Sequence, residues 1–231
     1  MKPYTYLIIN FLTVVVCFAF SFDKRIRFNE HFKAFVKSAS VAAVPFIAWD
    51  VWFTRNGVWW FNADYTVGWR LLGLPVEEWL FFFCIPFSCI FTYYCLTRFF
   101  NLSWMRSFNN LIVFVALIVC AVTALLYGFK VYTLVTCLAA ISVLVYLHFI
   151  AKVQWLGEAS LVFTLLLPGF FLVNGVLTGS GLDAPIVNYN PDTFLNLRIR
   201  TIPVEDAVYG YTQFLLNILL FKKFQKNKDH E

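Results

Sequence analysis

The chain alternates long apolar runs with short polar stretches. Seven of the runs are long enough to cross about 30 Å of hydrocarbon, at approximately 4–21, 34–53, 74–97, 109–127, 131–150, 159–177 and 202–221. Only Gly128, Phe129 and Lys130 separate the fourth run from the fifth, which predicts a tight turn. The pattern therefore predicts an all-α polytopic membrane protein with about seven transmembrane helices.

Two of the predicted helices begin with a proline followed by adjacent acids. Residues 74–79 read Leu-Pro-Val-Glu-Glu-Trp, and residues 202–207 read Ile-Pro-Val-Glu-Asp-Ala. Proline suits the first helical position, and carboxylates suit the positive end of the helix dipole, so capping is the simplest interpretation. One acid would be enough for a cap, however, and acids at membrane depth are costly and usually functional. Four acids are therefore candidate catalytic residues: Glu77, Glu78, Glu205 and Asp206.

The segments that precede the two acidic motifs also match each other. The matched polar residues are Asn62 and Asn190, Arg70 and Arg198, and, with a small shift, Asp50 and Asn174. Such a pattern predicts an internal repeat within a single integral membrane domain, 1–231. Its parts are half one (1–100), a spacer helix (101–128) and half two (129–231). The spacer gives both halves the same orientation, so we expect a 3+1+3 parallel repeat around a midplane cavity.

Composition and charge agree with a membrane location. The chain is 61% apolar, 20% aromatic and 13% charged, whereas roughly a quarter of the residues of an ordinary soluble domain are charged. The net charge of +5 suits anionic headgroups better than nucleic acid. Lys and Arg concentrate in alternate loops and the tail, which predicts a multi-pass cell-membrane protein with the N-terminus outside and the C-terminus cytoplasmic. Both acidic motifs would then face the outer leaflet.

The candidate site combines acids, arginines and aromatic rings. Arg70 and Arg198 could pair with the acids and hold one of them as an anion while another stays protonated, which is equipment for moving protons. A minority of the nearby aromatic rings could stabilise a cation. No dinucleotide fingerprint occurs, and the six Cys and three His residues show no metal spacing. We therefore expect no cofactor and no metal.

With these motifs the chain resembles the small membrane-type lycopene cyclases of carotenoid biosynthesis, in the form that fuses the two subunits of the two-subunit cyclases. In that family each half carries Pro-x-Glu-Glu or Pro-x-Glu-Asp. The resemblance implies an intramolecular lyase or isomerase, a lycopene β-cyclase. Such an enzyme closes the linear ψ ends of lycopene into the β rings of γ-carotene and β-carotene by acid catalysis and without redox change.

The resemblance also suggests roles for individual residues. It makes the four motif acids the proton-transfer candidates, with the matched residues as orienting or substrate-binding groups: Arg70, Arg198, Asp50, Asn174, Asn62 and Asn190. The implied partners are lycopene or a related linear carotenoid and the lipid bilayer, without nucleic acid. Homo-oligomerisation, association with other carotenoid enzymes, and a monocyclic or bicyclic product all stay open.

Two other functions remain open from the sequence. Parallel three-helix repeats also occur in small-solute and proton-coupled transporters, which bind their solutes at the bilayer midplane. Here most matched polar residues lie at helix ends, and only Asp50 and Asn174 lie deeper, which favours the enzyme. A non-catalytic carotenoid-binding subunit is the third alternative.

Overall fold

The computed structural model describes residues 2–226, and within them the apolar runs form seven α-helices. The helices are α1 (Thr5–Phe20), α2 (Phe32–Arg55), α3 (Val76–Phe99), α4 (Asn109–Tyr127), α5 (Val131–Val145), α6 (Leu156–Leu177) and α7 (Val204–Lys226). A π-helical turn, Tyr146–Ile150, extends α5. The all-α prediction is confirmed. Residues 227–231, which the sequence analysis places in the cytoplasmic tail, lie outside the described range.

Six of these helices are long and apolar enough to cross a membrane. They are α1 to α6, some of them together with the helical turns that adjoin them. The seventh helix, α7, is also long, but it carries two acids in its first turn and lysines near its end. Its charge therefore lies mainly at its two ends, where a spanning helix meets the headgroups.

The helices of the two halves pack in corresponding ways. Helix α1 packs on α3, and α5 packs on α7; between the halves, α2 lies against α7 and α6 against α3. Helix α4 packs mainly on α5. Helices α3 and α7, which carry the acidic motifs, therefore each contact helices of both halves.

Short strands, which the sequence analysis did not predict, occupy the two long loops. β1 (Trp59–Phe61) pairs antiparallel with β4 (Val187–Tyr189) and joins the halves. Each loop also forms a hairpin, β2 (Arg70–Leu71) with β3 (Leu74–Pro75), and β5 (Arg198–Ile199) with β6 (Ile202–Pro203). Strands of two or three residues are too short to show the two-residue period that identifies a strand in sequence.

The hairpins correct the predicted position of the two prolines. Pro75 and Pro203 end strands β3 and β6, and the helices begin one residue later, at Val76 and Val204. Pro75 is the N-cap of α3, with an extended backbone (ψ 150°), and not its first helical residue. The ring fixes φ near the value that an extended residue tolerates, so the proline ends the strand as readily as it would start the helix.

The two hairpins have the same conformation. Val76 N donates to Trp69 O (3.0 Å), and Val204 N donates to Leu197 O (3.1 Å), 128 residues further on. In the β1–β4 pair, Trp60 lies opposite Asn188, which is also 128 residues away. Equivalent residues therefore face each other, as across a local two-fold axis. The boundaries of the two halves stay a prediction.

Apolar clusters fill both ends of the bundle. One cluster lies where α2 and α6 begin and α3, α5 and α7 approach their ends, and it includes Phe28, Leu147 and Leu215. The other lies at the loop end and includes Phe53, Trp59 and Phe194. This loop-end cluster packs around the starts of α3 and α7, so it fixes the position of the acidic motifs.

Candidate active site

A cavity of about 280 Å³ lies between the two halves and is lined largely by apolar side chains. Glu78 of α3 and Asp206 of α7 both line it, as do Asp50 of α2 and Asn174 of α6. The acids are 8% and 7% exposed, respectively, and Asp50 is 2% exposed. The duplicated motif thus contributes one carboxyl from each half to one shared space.

In the first half, Glu78 contacts a tyrosine and a second carboxyl. The Tyr6 hydroxyl donates to Glu78 Oε2 (2.5 Å), and the Asp50 carboxyl lines the same cavity as that of Glu78. Trp59 Nε1 donates to Asp50 Oδ1 (2.6 Å). Asp50 Oδ2 is buried and has no hydrogen-bond partner among the described residues. This half-site therefore contains two neighbouring acids and fewer donors than they can accept.

In the second half, Asp206 contacts two tyrosines. The Tyr132 hydroxyl donates to Asp206 Oδ1 (2.6 Å) and the Tyr189 hydroxyl donates to Asp206 Oδ2 (2.8 Å). Burial and the nearby Asp206 raise the pKa of Tyr189 well above its ordinary value, so this tyrosine keeps the proton that it donates. Both oxygens of Asp206 are therefore occupied as acceptors.

Glu77 and Glu205, the first acid of each motif, hold the loops. Glu77 Oε1 accepts from the backbone N–H of Val67 (2.6 Å). Glu205 Oε1 accepts from the backbone N–H of Leu195 (2.9 Å) and from the Thr133 hydroxyl (2.7 Å). Both side chains are buried, but neither lines the cavity. In these positions the two acids hold the loops that precede α3 and α7, and their catalytic role stays a prediction.

The expected ion pairs of Arg70 and Arg198 with the acids do not form among the described residues. Arg70 donates instead to the carbonyls of Gly73 (3.1 Å) and Phe61 (3.4 Å), and Arg198 donates to that of Thr201 (2.5 Å). Both side chains are exposed, because a guanidinium at a membrane edge is better solvated there than in an apolar cavity. The two arginines therefore brace their hairpins.

Arg198 still has an indirect connection to the site. Its guanidinium lies 4.7 Å from the ring centre of Phe194 and 5.6 Å from that of Tyr189. Tyr189 in turn donates to Asp206. The arginine therefore helps to hold the tyrosine that orients the acid.

Asn62 and Asn190 cap short helical turns. Asn62 Oδ1 accepts from the backbone N–H of Asp64, and Asn190 Oδ1 accepts from that of Asp192, both at 3.0 Å. Asparagine commonly adopts this arrangement in turns. The matched asparagines thus shape the loops above the site and do not line the cavity.

The sequence analysis did not identify several polar residues of the site. Tyr6 and Tyr132 are each the second residue of their helix, α1 and α5, and this shared position is the signal that could have revealed them. Gln213 and Asn217 of α7 line the deeper part of the cavity. Trp59 and Tyr189 also line the cavity, and the sequence analysis considered the nearby aromatic rings only as a group.

The arrangement suits proton transfer to and from an apolar molecule. Carboxyls from both halves face a space that is lined mainly by rings and aliphatic groups, including Phe81, Phe163, Phe170 and Tyr209. Such rings attract a cation through their faces. A carboxyl in such a space can donate a proton or accept one, depending on its neighbours.

Comparison with known proteins agrees with this chemistry. The family model described as lycopene cyclase matches residues 3–96 and 129–224, and the unmatched segment between them contains α4. Searches of curated proteins and of solved structures found no match. The two matched segments together cover most of the chain, one in each predicted half. The chain therefore belongs to the lycopene cyclase family.

Proposed function

We propose that the protein is a lycopene β-cyclase that closes the linear ψ ends of lycopene into β rings. Membership of the family makes it an enzyme of carotenoid cyclisation that works in a membrane. The observation that carries the finer proposal is the pair of carboxyls, Glu78 and Asp206, that face one apolar cavity from opposite halves. The product of such a site would be γ-carotene or β-carotene.

The reaction needs an acid, a base and protection from water. A proton adds to the terminal double bond, the resulting tertiary cation is attacked by the next alkene, and loss of a ring proton completes the β ring. Nothing is oxidised or reduced. Because the cavity walls are mainly apolar, they exclude water that would otherwise capture the cation.

The size of the cavity favours one end group at a time. Pockets for drug-sized ligands measure about 300–1,000 Å³, and this one measures about 280 Å³. It therefore suits one end of a C40 polyene, while the rest of the chain lies between helices or in lipid.

We test the proposal by expressing the protein in cells that accumulate lycopene and separating their pigments by chromatography. We expect lycopene to be replaced by γ-carotene or β-carotene. A variant with Glu78→Gln and Asp206→Asn together is the matched control, and it should leave lycopene unchanged at equal membrane content. Unchanged lycopene with well-inserted natural protein would contradict the proposal.

The Lys and Arg distribution supports a cell-membrane location with the N-terminus outside and the C-terminus cytoplasmic. In that orientation both acidic motifs lie near the outer leaflet. Fusing a reporter that is active only in the cytoplasm to each terminus tests this, and we expect signal from the C-terminal fusion only. Signal from the N-terminal fusion would reverse the orientation.

A further inference from the structure

The two half-sites differ by one carboxyl. Asp50 lines the cavity beside Glu78, whereas its counterpart in the second half is the amide Asn174. Phe61 and Tyr189 also correspond, 128 residues apart, and only Tyr189 has a hydroxyl to donate to Asp206. The halves thus share a backbone but surround their acids with different groups.

The first half-site has the composition of a proton store. Two buried carboxyls that line the same part of an apolar cavity do not both ionise, so the pair retains a proton. Asp50 Oδ2 is buried without a partner among the described residues, and a proton shared with Glu78 would satisfy it. Tyr6 and Trp59 donate to other oxygens of the pair, namely Glu78 Oε2 and Asp50 Oδ1.

The second half-site has the composition of a base. Asp206 accepts one tyrosine hydroxyl on each oxygen, which is the pattern of an ionised carboxylate, because such a group only accepts. Hydrogen bonds to a charged acceptor are about twice as strong as neutral ones, so the two tyrosines stabilise the anion. In this half-site the counterpart of Asp50 is the amide Asn174, so within residues 2–226 no second carboxyl lines the cavity on this side to share a proton with Asp206.

We propose that the half-sites divide the reaction, with the Glu78–Asp50 pair giving the proton that starts cyclisation and Asp206 taking the proton that ends it. The inference rests on the proposed function and specifies which carboxyl does what. The assignment of proton donor and proton acceptor follows from the hydrogen-bond partners of the carboxyls on each side of the shared cavity.

The steps balance in protons and electrons. The terminal alkene uses its π electrons to bond the proton of the pair, which leaves a tertiary cation. The next alkene uses its π electrons to form the ring C–C bond, and the cation moves into the ring. Asp206 then takes a ring proton, and the electrons of that C–H bond form the ring double bond. One proton has crossed the cavity, and its return from Asp206 to the pair resets the site.

The test compares the kind of product, and not only its amount. Glu78→Gln and Asp50→Asn should reduce total ring formation about 100-fold or more, the lower range for loss of a general acid, and any ring formed should still be β. Asp206→Asn should still form the cation, so its rings should carry a displaced double bond (γ or ε type) or a hydroxyl from water.

Two matched variants keep the test decisive if a carboxyl variant is poorly inserted. Tyr189→Phe copies the residue at the corresponding position, Phe61, and should shift products in the direction of Asp206→Asn, but less strongly. Tyr6→Phe should slow ring formation without changing the ring type. Asp50→Asn likewise introduces the residue that the second half has at the corresponding position, Asn174.

The outcomes separate this inference from the proposed function. If the natural protein leaves lycopene unchanged, the cyclase proposal fails. If the natural protein is active, displaced rings from Glu78→Gln together with unreacted lycopene from Asp206→Asn would reverse the assigned roles. Parallel losses of β rings alone in every variant would overturn the division of roles.

Discussion

At the scale of single residues, position in the motif separates two kinds of acid. The first acid of each pair, Glu77 or Glu205, accepts a backbone N–H from the preceding loop. The second, Glu78 or Asp206, accepts tyrosine hydroxyls and faces the cavity. Adjacent residues of a helix point in different directions, so the doubled acid serves two purposes at once. This explains why one acid per helix would not be enough.

Glu77→Gln and Glu205→Gln should retain most cyclising activity, because an amide oxygen still accepts the loop N–H. Glu77→Ala should destabilise the protein by about 1–3 kcal/mol, the cost of leaving a buried donor unpaired. Thermal unfolding in detergent and pigment chromatography measure the two effects. Loss of activity in a stable, inserted Glu77→Gln variant would show that this acid takes part in proton transfer.

Residue identity and spacing revealed only part of the site in advance. The duplicated acids and the depth of Asp50 could be predicted because proline and charge are rare inside apolar runs. Tyr6 and Tyr132 could not, since each is one aromatic residue among many, and it reaches its acid across more than 70 residues of sequence. The expected ion pairs of the two arginines with the acids do not form among the described residues, because matched spacing does not show which way a side chain points.

At the scale of elements, the β1–β4 pair holds the two loops together above the cavity. Trp59 of β1 binds Asp50, and Tyr189 of β4 binds Asp206, and these two residues lie opposite each other in the pair. Three paired residues on each strand thus set the spacing of groups that serve both half-sites. The hydrophobic pattern could predict all seven helices, but not a pair this short.

Trp60→Pro should strongly lower cyclising activity, since proline in a paired strand removes a donor and disturbs the ladder. The helices should persist, because their backbone hydrogen bonds are internal. Trp60→Val is the matched control: the Trp60 side chain is 47% exposed, and valine suits a strand. Far-UV circular dichroism and product analysis check both variants, and full activity in Trp60→Pro would show that the pairing is dispensable.

At the scale of the whole molecule, contacts between the halves extend from the strands through the bundle. Helix α2 packs on α7, α3 packs on α6, and the strands pair at one end. The loop that connects α3 to α4, residues 100–108, does not line the cavity. A break in the chain there should leave the site intact.

Co-expressed segments 1–100 and 101–231 should therefore restore cyclisation in cells that accumulate lycopene, while neither segment alone should do so. Replacing the second segment by 129–231 removes α4, and the repeat would then insert with its orientation reversed. We expect no activity from that pair. Activity from one segment alone would contradict a site shared between halves.

The cavity has a direction that constrains how a long polyene is handled. Its lining on α7 runs from Asp206 to Asn217, which is roughly 16 Å of helix at 1.5 Å per residue. The acids lie at the loop end, so the ψ end that reacts points towards one membrane surface and the rest of the polyene extends towards the opposite leaflet. If both ends are cyclised, the molecule must leave and re-enter with its ends exchanged. In kinetic terms the enzyme is then distributive and not processive, and the monocyclic product should accumulate freely before the bicyclic one forms.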